Sequence, residues 1–573
     1  MKVVIVGGVA GGATAAARIR RLDEKAEIII FEQSGYISYA NCGLPYFIGG
    51  EITERTALTL QTPQQFFNRY RIQARVHHKV TAVDAKQKTV TVVNLQTNET
   101  FEESYDKLLL SPGSKPIVPP LPGKDDPRIF TLRNVENTFA IDEFIKENRP
   151  KRAVVIGGGF IGLETAENLK RRGLSVSLVE LLPQVFVPFD YDMASFVHDT
   201  LKRNGINLIP GAGVSGFSTA ADGSVEVQIS GKEPLFADLV IMAVGVAPDN
   251  ALAESAGLKT GTKGAIQVNE KMETSVPDIY AVGDATEIRN FVTEAPALVP
   301  LAGPANKQGR IAADNICGGS STFKGAQGSS ILKLFEMTFA ATGLNETAAR
   351  SAGIEFDKTV TFSPSHATYY PGAGNMTVKV LFSPKATDRF KKGQILGAQI
   401  AGTAGVDKRI DVLAAAVRCK AVADDLTDWE FAYAPPYSSA KDPVNIAGYV
   451  ITNVLNGAVS QFHWYDVPRL QKDENGFFLD VRTPGEYAAG CIKGSINIPV
   501  DSLRDRLSEI PKGKNLYVIC QSALRSYIAC RILSSLGWNC SHLSGGYRFY
   551  KSAMEGNTEY ADRLCGECGA PLR

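Results

Sequence analysis

The sequence lacks the features that would place it in a membrane or on a nucleic acid. Its 61 Lys and Arg nearly balance 60 Asp and Glu, and a net charge of +1 predicts no strong attraction to either. No apolar run reaches the roughly 20 residues that a membrane-spanning helix needs. The opening MKVVIVGG has none of the basic, apolar and cleavage regions of a secretory signal. We therefore expect a cytoplasmic protein with no nucleic-acid or membrane partner.

Cysteine is sparse, and its spacing excludes a local dithiol site. The nine cysteines are an odd number without a regular framework, which favours a reducing compartment and functional thiols over a disulfide scaffold. Cys42 lies within YISYANCGLPY, and the next cysteine in the chain is Cys317. Whatever Cys42 does, it does without a resolving cysteine in the adjacent sequence.

The length of the chain predicts several domains. A single hydrophobic core rarely grows past roughly 250–300 residues, and this chain has 573. Its 44% apolar and 21% charged residues are ordinary for a globular protein. We therefore expect a multidomain globular protein.

The N-terminal segment has the pattern of a dinucleotide-binding βαβ unit. KVVIVGG is a β-branched run typical of a buried parallel strand, and EIIIFE ends at Glu32. Glycines would allow the tight turn, the pyrophosphate would meet a helix N-terminus, and the acid would accept a ribose hydroxyl. Between Gly7 and Gly12, Val9 occupies the middle glycine position of G-x-G-x-x-G. A plain strand–turn–helix therefore stays open as the alternative.

A second copy of the pattern is complete. AVVIGGGFIGLE places Gly157, Gly159 and Gly162 in register, and Glu180 closes the next strand 18 residues beyond the last glycine. A carboxylate there would bind an unphosphorylated ribose 2′-hydroxyl and repel a 2′-phosphate. This predicts NADH over NADPH, although Arg171 and Arg172 lie close in sequence.

Further motifs identify a family. LLLSPGSKP and LVIMAVGVAPDN turn sharply at Gly113 and Gly245, and IYAVGDAT places Asp284 at a strand end, where a helix N-cap is the alternative role. Together with VIVGGVAGG and VVIGGGFIGLE, these pieces resemble the flavoprotein disulfide reductases. We call the βαβ units that contain Gly7–Gly12 and Gly157–Gly162 the first and the second cradle. The resemblance implies FAD in the first cradle, contacted by Gly7, Val9, Ala10, Gly11, Gly12, Glu32, Gln33, Ser111, Pro112, Gly113, Asp284 and Ala302. It implies the pyridine nucleotide in the second, contacted by Gly157, Gly159, Phe160, Ile161, Gly162, Glu180 and Gly245.

A single cysteine beside a flavin accepts electrons only through a covalent sulfur adduct. The thiolate is the reactive form, so we expect the surroundings of Cys42 to lower its pKa. The adduct could be a mixed disulfide, a persulfide or a sulfenic acid, and an inert buried cysteine is the alternative. SYANCGLPY favours the first two, because this stretch resembles the single-cysteine coenzyme A-disulfide reductases and the related persulfide reductases.

That resemblance covers roughly residues 1–450 and implies a coenzyme A site. Its contacts fall on Thr14, Arg18, Arg21, Ser38 and Asn41, and Arg is suited to bidentate phosphate contacts. The alternative is that Arg18, Arg20 and Arg21 form a solvated helix face. One departure from the family is Asn306, where some members have a substrate-binding histidine.

The following segment resembles the dimerisation domain of the same family, which implies a homodimer. In the family a tyrosine from AYAPPY approaches the flavin and cysteine of the other subunit, and a lysine follows eight residues later. Tyr433 and Lys441 have that spacing. Tyr369 is the candidate for a second tyrosine, with Tyr370 beside it as the alternative.

The C-terminal part resembles a rhodanese domain, in LDVRTPGEY, GSINIP and YVICQSALRS. A strand ends at Cys520, and a six-residue loop leads to Arg525 at the start of a helix. Backbone N–H groups and the helix dipole in such a loop would stabilise a thiolate or persulfide on Cys520. Ala523 replaces a common glycine, and Cys491 stands where the family often has histidine; a purely structural Cys520 is the alternative.

The remaining cysteines carry no predicted chemistry. Cys565 and Cys568 form a single C-x-x-C, whereas zinc normally needs a second such pair or histidines. An unstructured tail is favoured over a labile disulfide or a sulfur relay, and no metal is assigned. We expect ordinary core packing for Cys317, Cys419, Cys530 and Cys540.

The predicted fold class is α/β, with two Rossmann-like domains, an α+β dimerisation domain and a small α/β rhodanese domain. The expected boundaries are 1–150 and 271–325 for FAD binding, 151–270 for NAD binding, 326–455 for dimerisation, 460–555 for rhodanese and 556–573 for the tail. The resemblance implies an NADH-dependent FAD enzyme that reduces a coenzyme A persulfide, polysulfide or disulfide through Cys42, while Cys520 carries sulfane sulfur. The alternatives are an NADH oxidase or peroxidase with a Cys42 sulfenic acid, and a non-catalytic sulfur carrier or redox sensor.

Overall fold

The computed structural model of the chain describes residues 1–556, so Cys565 and Cys568 lie outside the described residues. These residues form two units. The first unit comprises Met1–Leu181 and Ala212–Gly328, and the second comprises Leu182–Gly211 and the chain from Ser329 onward. Within residues 1–556, no helix has both the length and the apolar character to cross a bilayer.

The first unit contains two parallel sheets. One has the order Ile279–Ala281, Lys107–Leu110, Lys2–Val6, Glu27–Glu32 and Gln73–Val76. Four strands of the other follow the order Ile129–Thr131, Leu239–Met242, Arg152–Ile156 and Ser175–Val179. The β-branched runs predicted to be buried form the centres of these sheets, and Val3, Val4 and Ile5 have no exposed surface.

Smaller elements complete the first unit. Its antiparallel strands are His78–Asp84, Thr89–Asn94 and Thr100–Ser104, then Val214–Thr219, Val225–Ile229 and Leu235–Ala237. Short strands pair Ile37–Tyr39 with Thr59–Gln61 and Ser114–Pro116 with Val246–Pro248, and a further small sheet joins Ile266–Gln267, Thr286–Arg289 and Pro296–Ala297. The helices are Ala10–Leu22, Leu44–Gly49, Arg55–Leu58, Pro63–Tyr70, Val135–Asn148, Phe160–Arg171, Ala251–Ser255 and Ala302–Ile316, with short 3-10 turns at Asn41–Gly43, Thr262–Gly264 and Gly283–Ala285.

The second unit begins with an antiparallel sheet. Its strands follow the order Ser330–Leu334, Met337–Gly343, Ile395–Gly402, Asn375–Phe382 and Asp357–Pro364. Almost every residue of Asn375–Phe382 and Ile395–Gly402 is buried, as central strands covered on both faces require. The unit also includes the short strand Asn207–Ile209 and the helices Tyr191–Arg203, Glu346–Ser351, Val406–Cys419, Ala423–Asp428 and Pro443–Leu455.

A parallel five-stranded sheet follows within the second unit. Its order is Ser460–Phe462, Asn539–Leu543, Asn515–Ile519, Gly476–Asp480 and Ile496–Asn497. The helices here are Val467–Leu470, Pro484–Ala488, Leu524–Ser535 and Gly546–Gly556, with 3-10 segments at Trp464–Asp466 and Val500–Glu509. This alternation of strands and helices is the one that the sequence predicts for the last hundred residues.

A buried ionic cluster lies in the antiparallel part of the second unit. The fully buried Lys379 ammonium contacts Asp190, Asp192 and Glu346 at 3.0, 2.7 and 2.7 Å. Burial alone would lower the pKa of Lys379, but these carboxylates raise it well above its ordinary value. The carboxylate oxygens lie within 4.8 Å of one another, and the ammonium occupies the place among them that a cation would take.

The same cluster joins the antiparallel sheet to the parallel one. The Trp464 indole N–H donates to Asp192 at 3.2 Å. Gln461 donates to the Lys358 carbonyl at 2.6 Å, and the Lys358 ammonium lies 2.5 Å from Glu346 and 4.6 Å from the centre of the Tyr465 ring. These polar contacts attach the first strand of the parallel sheet and the turn after it to the buried ionic cluster.

We predict that Lys379→Met destabilises the second unit by about 3–5 kcal/mol, because it leaves the buried Asp190 and Asp192 without their cation, whereas Glu346 keeps Lys358. All three tryptophans, Trp429, Trp464 and Trp538, lie in this unit, so urea unfolding followed by tryptophan fluorescence reports on it. Lys333→Met, on an exposed position of the strand Ser330–Leu334, is the matched control and should stay within about 0.5 kcal/mol. Equal losses in the two variants would contradict the prediction.

Candidate active sites

Glycines without room for a side chain shape the first cradle. A Cβ on Gly12 would lie 1.9 Å from the Gly7 carbonyl oxygen, and one on Gly7 would lie 2.1 Å from the Ser111 oxygen. The amide of Gly8 donates to the Glu32 carboxylate at 2.8 Å. Burial raises the pKa of Glu32 even though this N–H and that of Ser34 oppose the shift. The turn and its acid thus have the arrangement predicted for a dinucleotide site.

Later segments converge on the same cradle. A Cβ on Gly11 would lie 2.9 Å from the Ser111 hydroxyl and 3.6 Å from the carbonyl of Ala305, in the first turns of Ala302–Ile316. The structure therefore places three features around the glycines of the first cradle. They are Ser111, the 3-10 turn that contains Asp284, and the helix that begins at Ala302. The glycine turn, the acid and a second helix N-terminus are the groups that bind a dinucleotide, so the residues present fit FAD.

Asp284 does not cap a helix. The N-cap of its 3-10 turn is Val282, and the Asp284 carboxylate accepts from the Ser114 hydroxyl at 3.3 Å. Burial raises the pKa of Asp284, against the guanidinium of Arg133. The capping alternative is therefore wrong.

The second cradle repeats the first. A Cβ on Gly162 would lie 1.9 Å from the Gly157 carbonyl oxygen, whereas the position above Gly159 is open. The amide of Gly158 donates to Glu180, directly after the strand Ser175–Val179, at 2.5 Å. Phe160 and Ile161 open the helix Phe160–Arg171, and Gly245 turns with φ +117°. These residues fit a pyridine nucleotide by the same reasoning.

The thiol of Cys42 interacts with one carboxylate of the second cradle, Glu164, and with one beside the first cradle, Asp284. Cys42 is exposed, at the centre of the turn Asn41–Gly43. Burial of the sulfur raises the pKa of Cys42, and the carboxylates of Glu164 and Asp284 raise it further. The expectation that the surroundings lower the pKa of Cys42 is therefore wrong. The protein residues raise it, because the neighbouring charges are negative.

Two residues near Cys42 were missed by sequence reasoning. Burial raises the pKa of Glu164 to about 7, and the Tyr46 hydroxyl donates to it at 3.3 Å. Arg133 donates to the Ser114 carbonyl at 2.7 Å, and the Asn41 amide, oriented to satisfy both its atoms, accepts from Arg133 at 3.2 Å. Both come from distant segments, so spacing near Cys42 could not reveal them.

The helix Ala10–Leu22 separates its arginines onto different faces. Thr14, Arg18 and Arg21 follow one another at helical spacing, and Arg18 forms an ion pair with Asp314 at 2.8 Å. Thr14 donates to Asn306, while Arg21 is exposed. Arg20 is buried and donates to five backbone carbonyls. The alternative that Arg18, Arg20 and Arg21 form one solvated helix face is therefore wrong, because Arg20 is buried and structural.

Two other predicted substrate residues surround the turn of Cys42. Ser38 has a left-handed backbone with φ +46°, an uncommon conformation for a residue with a side chain. Its amide donates to the Gly8 carbonyl at 2.7 Å. Asn41 is exposed next to Cys42. The strained backbone of Ser38 is thus tied directly to the first cradle.

Two tyrosines of the second unit form a pair. The hydroxyls of Tyr369 and Tyr433 lie 2.8 Å apart, and both side chains are largely exposed. This hydrogen bond raises the pKa of Tyr369. Tyr370 instead contacts His366 edge to face at 5.8 Å, and Lys441 is exposed. The structure therefore separates the two candidates and pairs Tyr369 with Tyr433.

The predicted rhodanese loop is held by two arginines. Arg525, the second residue of Leu524–Ser535, makes a two-pronged ion pair with Glu486 at 2.7 and 2.8 Å. This pairing lowers the pKa of Glu486 to about 2. The buried Arg482 donates to Gln521, next to Cys520, at 3.3 Å. Glu486 and Arg482 were not singled out from sequence.

The other cysteines differ in exposure. Cys530 and Cys540 are buried as expected, and Cys317 is partly buried. Cys419 is exposed at the end of the helix Val406–Cys419, so the expectation of core packing is wrong there. It ends on the surface because the helix stops at Lys420, whose backbone is left-handed.

Comparison with known proteins identifies the family. Residues 1–305 match the pyridine nucleotide-disulphide oxidoreductases, and residues 330–443 match the dimerisation domain of that family. The chain belongs to the pyridine nucleotide-disulphide oxidoreductase family. This oxidoreductase also carries a match to the rhodanese-like domain at residues 465–553. As a member of the family it is an FAD enzyme that uses a pyridine nucleotide.

Its relatives cover most of the chain. Coenzyme A disulfide reductase of Staphylococcus aureus is 40% identical over 449 residues, which are 78% of this chain and 99% of that enzyme. The reduced CoADR-RHD of Bacillus anthracis is 46% identical with a TM-score of 0.94, covering 97% and 98% of the two chains. An NAD-dependent persulfide reductase from A. fulgidus is 36% identical with a TM-score of 0.88, covering 96% and 100%. The predicted fold class is confirmed.

Ala523 in the rhodanese loop of this oxidoreductase has φ +71° where a glycine would be unstrained. We predict that Ala523→Gly stabilises the start of Leu524–Ser535 by about 1 kcal/mol, because it removes the left-handed penalty of a Cβ. Hydrogen exchange of that helix, followed by mass spectrometry, measures the change. Ala488→Gly, in the exposed helix Pro484–Ala488, is the control and should weaken its own helix. Faster exchange in Ala523→Gly would contradict the prediction.

Proposed function

We propose that the chain is an NADH-dependent flavoenzyme that reduces the S–S bond of a coenzyme A persulfide, polysulfide or disulfide at Cys42, while Cys520 carries sulfane sulfur. The observation that carries the proposal is a solitary exposed thiol in the unit that also holds both dinucleotide cradles. The relatives named as a coenzyme A disulfide reductase and a persulfide reductase support this choice of substrate.

The chemistry at Cys42 follows from its being alone. Bound NADH and FAD supply an electron pair and a proton to the site. The Cys42 thiolate attacks coenzyme A persulfide at the sulfur attached to the carrier, which forms a mixed disulfide and releases hydrogen sulfide. Two electrons and a proton then cleave that bond, regenerating the Cys42 thiolate and releasing the coenzyme A thiol. A disulfide substrate gives two thiols by the same route.

Glu164 and Arg133 adjust the charge at this site. A carboxyl whose pKa is about 7 holds a proton for part of the time at neutral pH, so Glu164 can hold or release one beside Cys42. Arg133 places a guanidinium near Asp284 and Asn41, which offsets the negative charge of the carboxylates. The two residues therefore oppose each other electrostatically around the sulfur.

The choice of NADH rests on Glu180. Its carboxylate follows the second strand of the cradle and is bound to the Gly158 amide. In that position it would accept a ribose 2′-hydroxyl and repel a 2′-phosphate. We therefore propose NADH as the donor and NADPH as the poorer one.

The coenzyme A site is proposed for the exposed side of the helix Ala10–Leu22. Thr14, Arg18 and Arg21 share one face, Asn41 lies in the turn that carries Cys42, and Ser38 lies in the short strand Ile37–Tyr39 before it. Guanidinium groups suit a nucleotide with three phosphates. Asn306, bonded to Thr14, stands at the position where some relatives have a histidine.

Two subunits are proposed to build each site. The match to the dimerisation domain favours a homodimer. Tyr369 and Tyr433 are exposed with their hydroxyls together, and in the proposal they donate protons to the sulfur at Cys42 of the partner subunit. Lys441, also exposed, contributes a charge to the coenzyme A phosphates there.

The rhodanese-like domain is proposed to carry sulfane sulfur on Cys520. Arg525 is held against Glu486, and the Cys520 sulfur contributes to raising the pKa of Arg525. A guanidinium near this sulfur favours its anionic forms. A reductase that consumed disulfides alone would have no use for a sulfur carrier, so the domain favours persulfide over disulfide.

We predict that Cys42→Ser lowers NADH consumption with coenzyme A persulfide by at least about a hundredfold, since the nucleophile is lost. Flavin absorbance during the reaction should show reduction by NADH without reoxidation. Mass spectrometry of purified enzyme should show a coenzyme A adduct on Cys42 that Cys42→Ser lacks. The matched control is Cys419→Ser, an exposed thiol of the second unit, which should turn over normally.

Three outcomes separate the proposal from its alternatives. Equal reoxidation of the reduced flavin in Cys42→Ser would overturn it. Faster NADH consumption with hydrogen peroxide than with coenzyme A persulfide would favour a sulfenic acid on Cys42. Running the assay with NADPH in parallel tests the role given to Glu180, which a higher rate with NADPH would contradict.

A mixed dimer tests whether Tyr433 acts across subunits. Cys42→Ser and Tyr433→Phe subunits, each with a different affinity tag, are co-expressed, and the heterodimer is isolated. If the site uses Cys42 of one subunit and Tyr433 of the other, one of its two sites is intact and about half the wild-type activity returns. Activity no higher than the better parent homodimer would contradict the cross-subunit arrangement.

A further inference from the structure

A second thiol lies beside the Cys520 loop. Cys491 is exposed, whereas Cys520 is completely buried. Cys491 follows Gly490 in the segment that leads from the helix Pro484–Ala488. Two independent sets of contacts tie this segment to the Cys520 loop.

The first set runs through Arg482. Its guanidinium donates to the Gly490 carbonyl at 2.7 Å and to Gln521, the residue after Cys520, at 3.3 Å. It also lies 4.1 Å from the centre of the Tyr547 ring. The Tyr547 amide donates to the Cys520 carbonyl at 2.8 Å, and a Cβ on Gly490 would lie 2.7 Å from the Tyr547 hydroxyl. One buried side chain thus contacts the neighbours of both cysteines.

The second set runs through the ion pair of the loop. Glu486 binds Arg525, and the Cys520 sulfur is among the groups that raise the pKa of Arg525. The next residue, Tyr487, donates to the Ser495 carbonyl at 2.6 Å. Burial and a hydrogen bond with the Cys491 thiol raise the pKa of Tyr487. Cys491 therefore contacts the residue that follows Glu486, the partner of Arg525 in this ion pair.

The difference in exposure gives the two thiols different access. A fully buried Cys520 can hold a sulfur in a shielded loop, but a bulky thiol has a restricted path to it. Cys491 offers a sulfur atom that solvent and large carriers reach directly. Tyr487 adds a hydroxyl within hydrogen-bonding reach of that sulfur.

We propose that Cys491 is a relay thiol that takes the sulfane sulfur from Cys520 and presents it at the surface to a bulky thiol carrier such as coenzyme A. The proposal rests on the function proposed above, in which Cys520 forms a persulfide. The Cys491 thiolate attacks the outer sulfur of the Cys520 persulfide. The S–S bond to Cys520 breaks, Cys520 leaves as the thiolate with the electron pair, and a persulfide forms on Cys491. The proton on the outer sulfur stays with it, and no oxidant or reductant is consumed.

The direction of transfer follows from the surroundings of Cys520. A leaving thiolate departs more readily when its charge is stabilised. The Cys520 loop leads directly into the N-terminus of Leu524–Ser535, and Arg525 is the second residue of that helix, so the positive end of a helix and a guanidinium lie next to the leaving group. Cys520 is therefore suited to leave and Cys491 to deliver.

Site-resolved mass spectrometry tests the relay. Full-length FAD-loaded enzyme is mixed with thiosulfate, a sulfane-sulfur donor small enough to enter the Cys520 loop, quenched at intervals with an alkylating agent and digested with trypsin. Cleavage after Arg482 and Lys493 isolates Cys491, and cleavage after Lys514 and Arg525 isolates Cys520. Wild type, Cys491→Ser, Cys520→Ser and the control Cys419→Ser are compared, and retained tryptophan fluorescence of the second unit shows that each variant is folded.

The relay predicts persulfide first on Cys520 and then on Cys491. In Cys520→Ser the Cys491 peptide should gain at least about tenfold less persulfide, and in Cys491→Ser the Cys520 persulfide should persist about tenfold longer. Cys419→Ser should behave as wild type. Persulfide confined to Cys520 in the wild type would overturn the relay and leave the proposed function standing. Equal modification of Cys491 without Cys520 would also overturn it, and persulfide on neither cysteine would overturn the carrier role of Cys520 itself.

Discussion

The close approach of backbone to backbone at two glycine turns is the constraint on which the first unit depends. At Gly12 and Gly162 a Cβ would lie 1.9 Å from the carbonyl oxygen of the first glycine of the turn. Only residues without a side chain let the helix start this near the strand, and this closeness aims helix amides at a bound phosphate. Ser111, Asp284 and the turn of Cys42 each come shortly after the end of a strand of the first unit, so their positions depend on where those strands end.

Local patterns were the most informative part of the sequence. Residues separated by three, four or seven positions share a helical face, so the spacing of Thr14, Arg18 and Arg21 already contained their arrangement. The same rule places Arg20 on another face, where it binds carbonyls. The strands that end at Glu32 and before Glu180 were equally predictable, because buried parallel strands have continuous apolar runs.

Pairs of residues that are distant in sequence could not be predicted. Glu164 lies more than a hundred residues from Cys42, and Arg482 reaches Gln521 across 39 residues. Lys379 contacts Asp192 across 187 residues. Sequence spacing does not predict such contacts. The charge around a thiol depends on them, so it could not be predicted either. This is why a lowered pKa was expected for Cys42 and the structure shows a raised one.

The paired hydroxyls of Tyr369 and Tyr433 share one hydrogen bond in which either oxygen can be the donor. One of the two hydrogens is then always left pointing outward. Rotation about two C–O bonds exchanges which phenol carries it, with no movement of the backbone. Under the proposed function, the hydroxyl hydrogen left outside this bond is the one offered to an anionic sulfur, and either phenol can supply it.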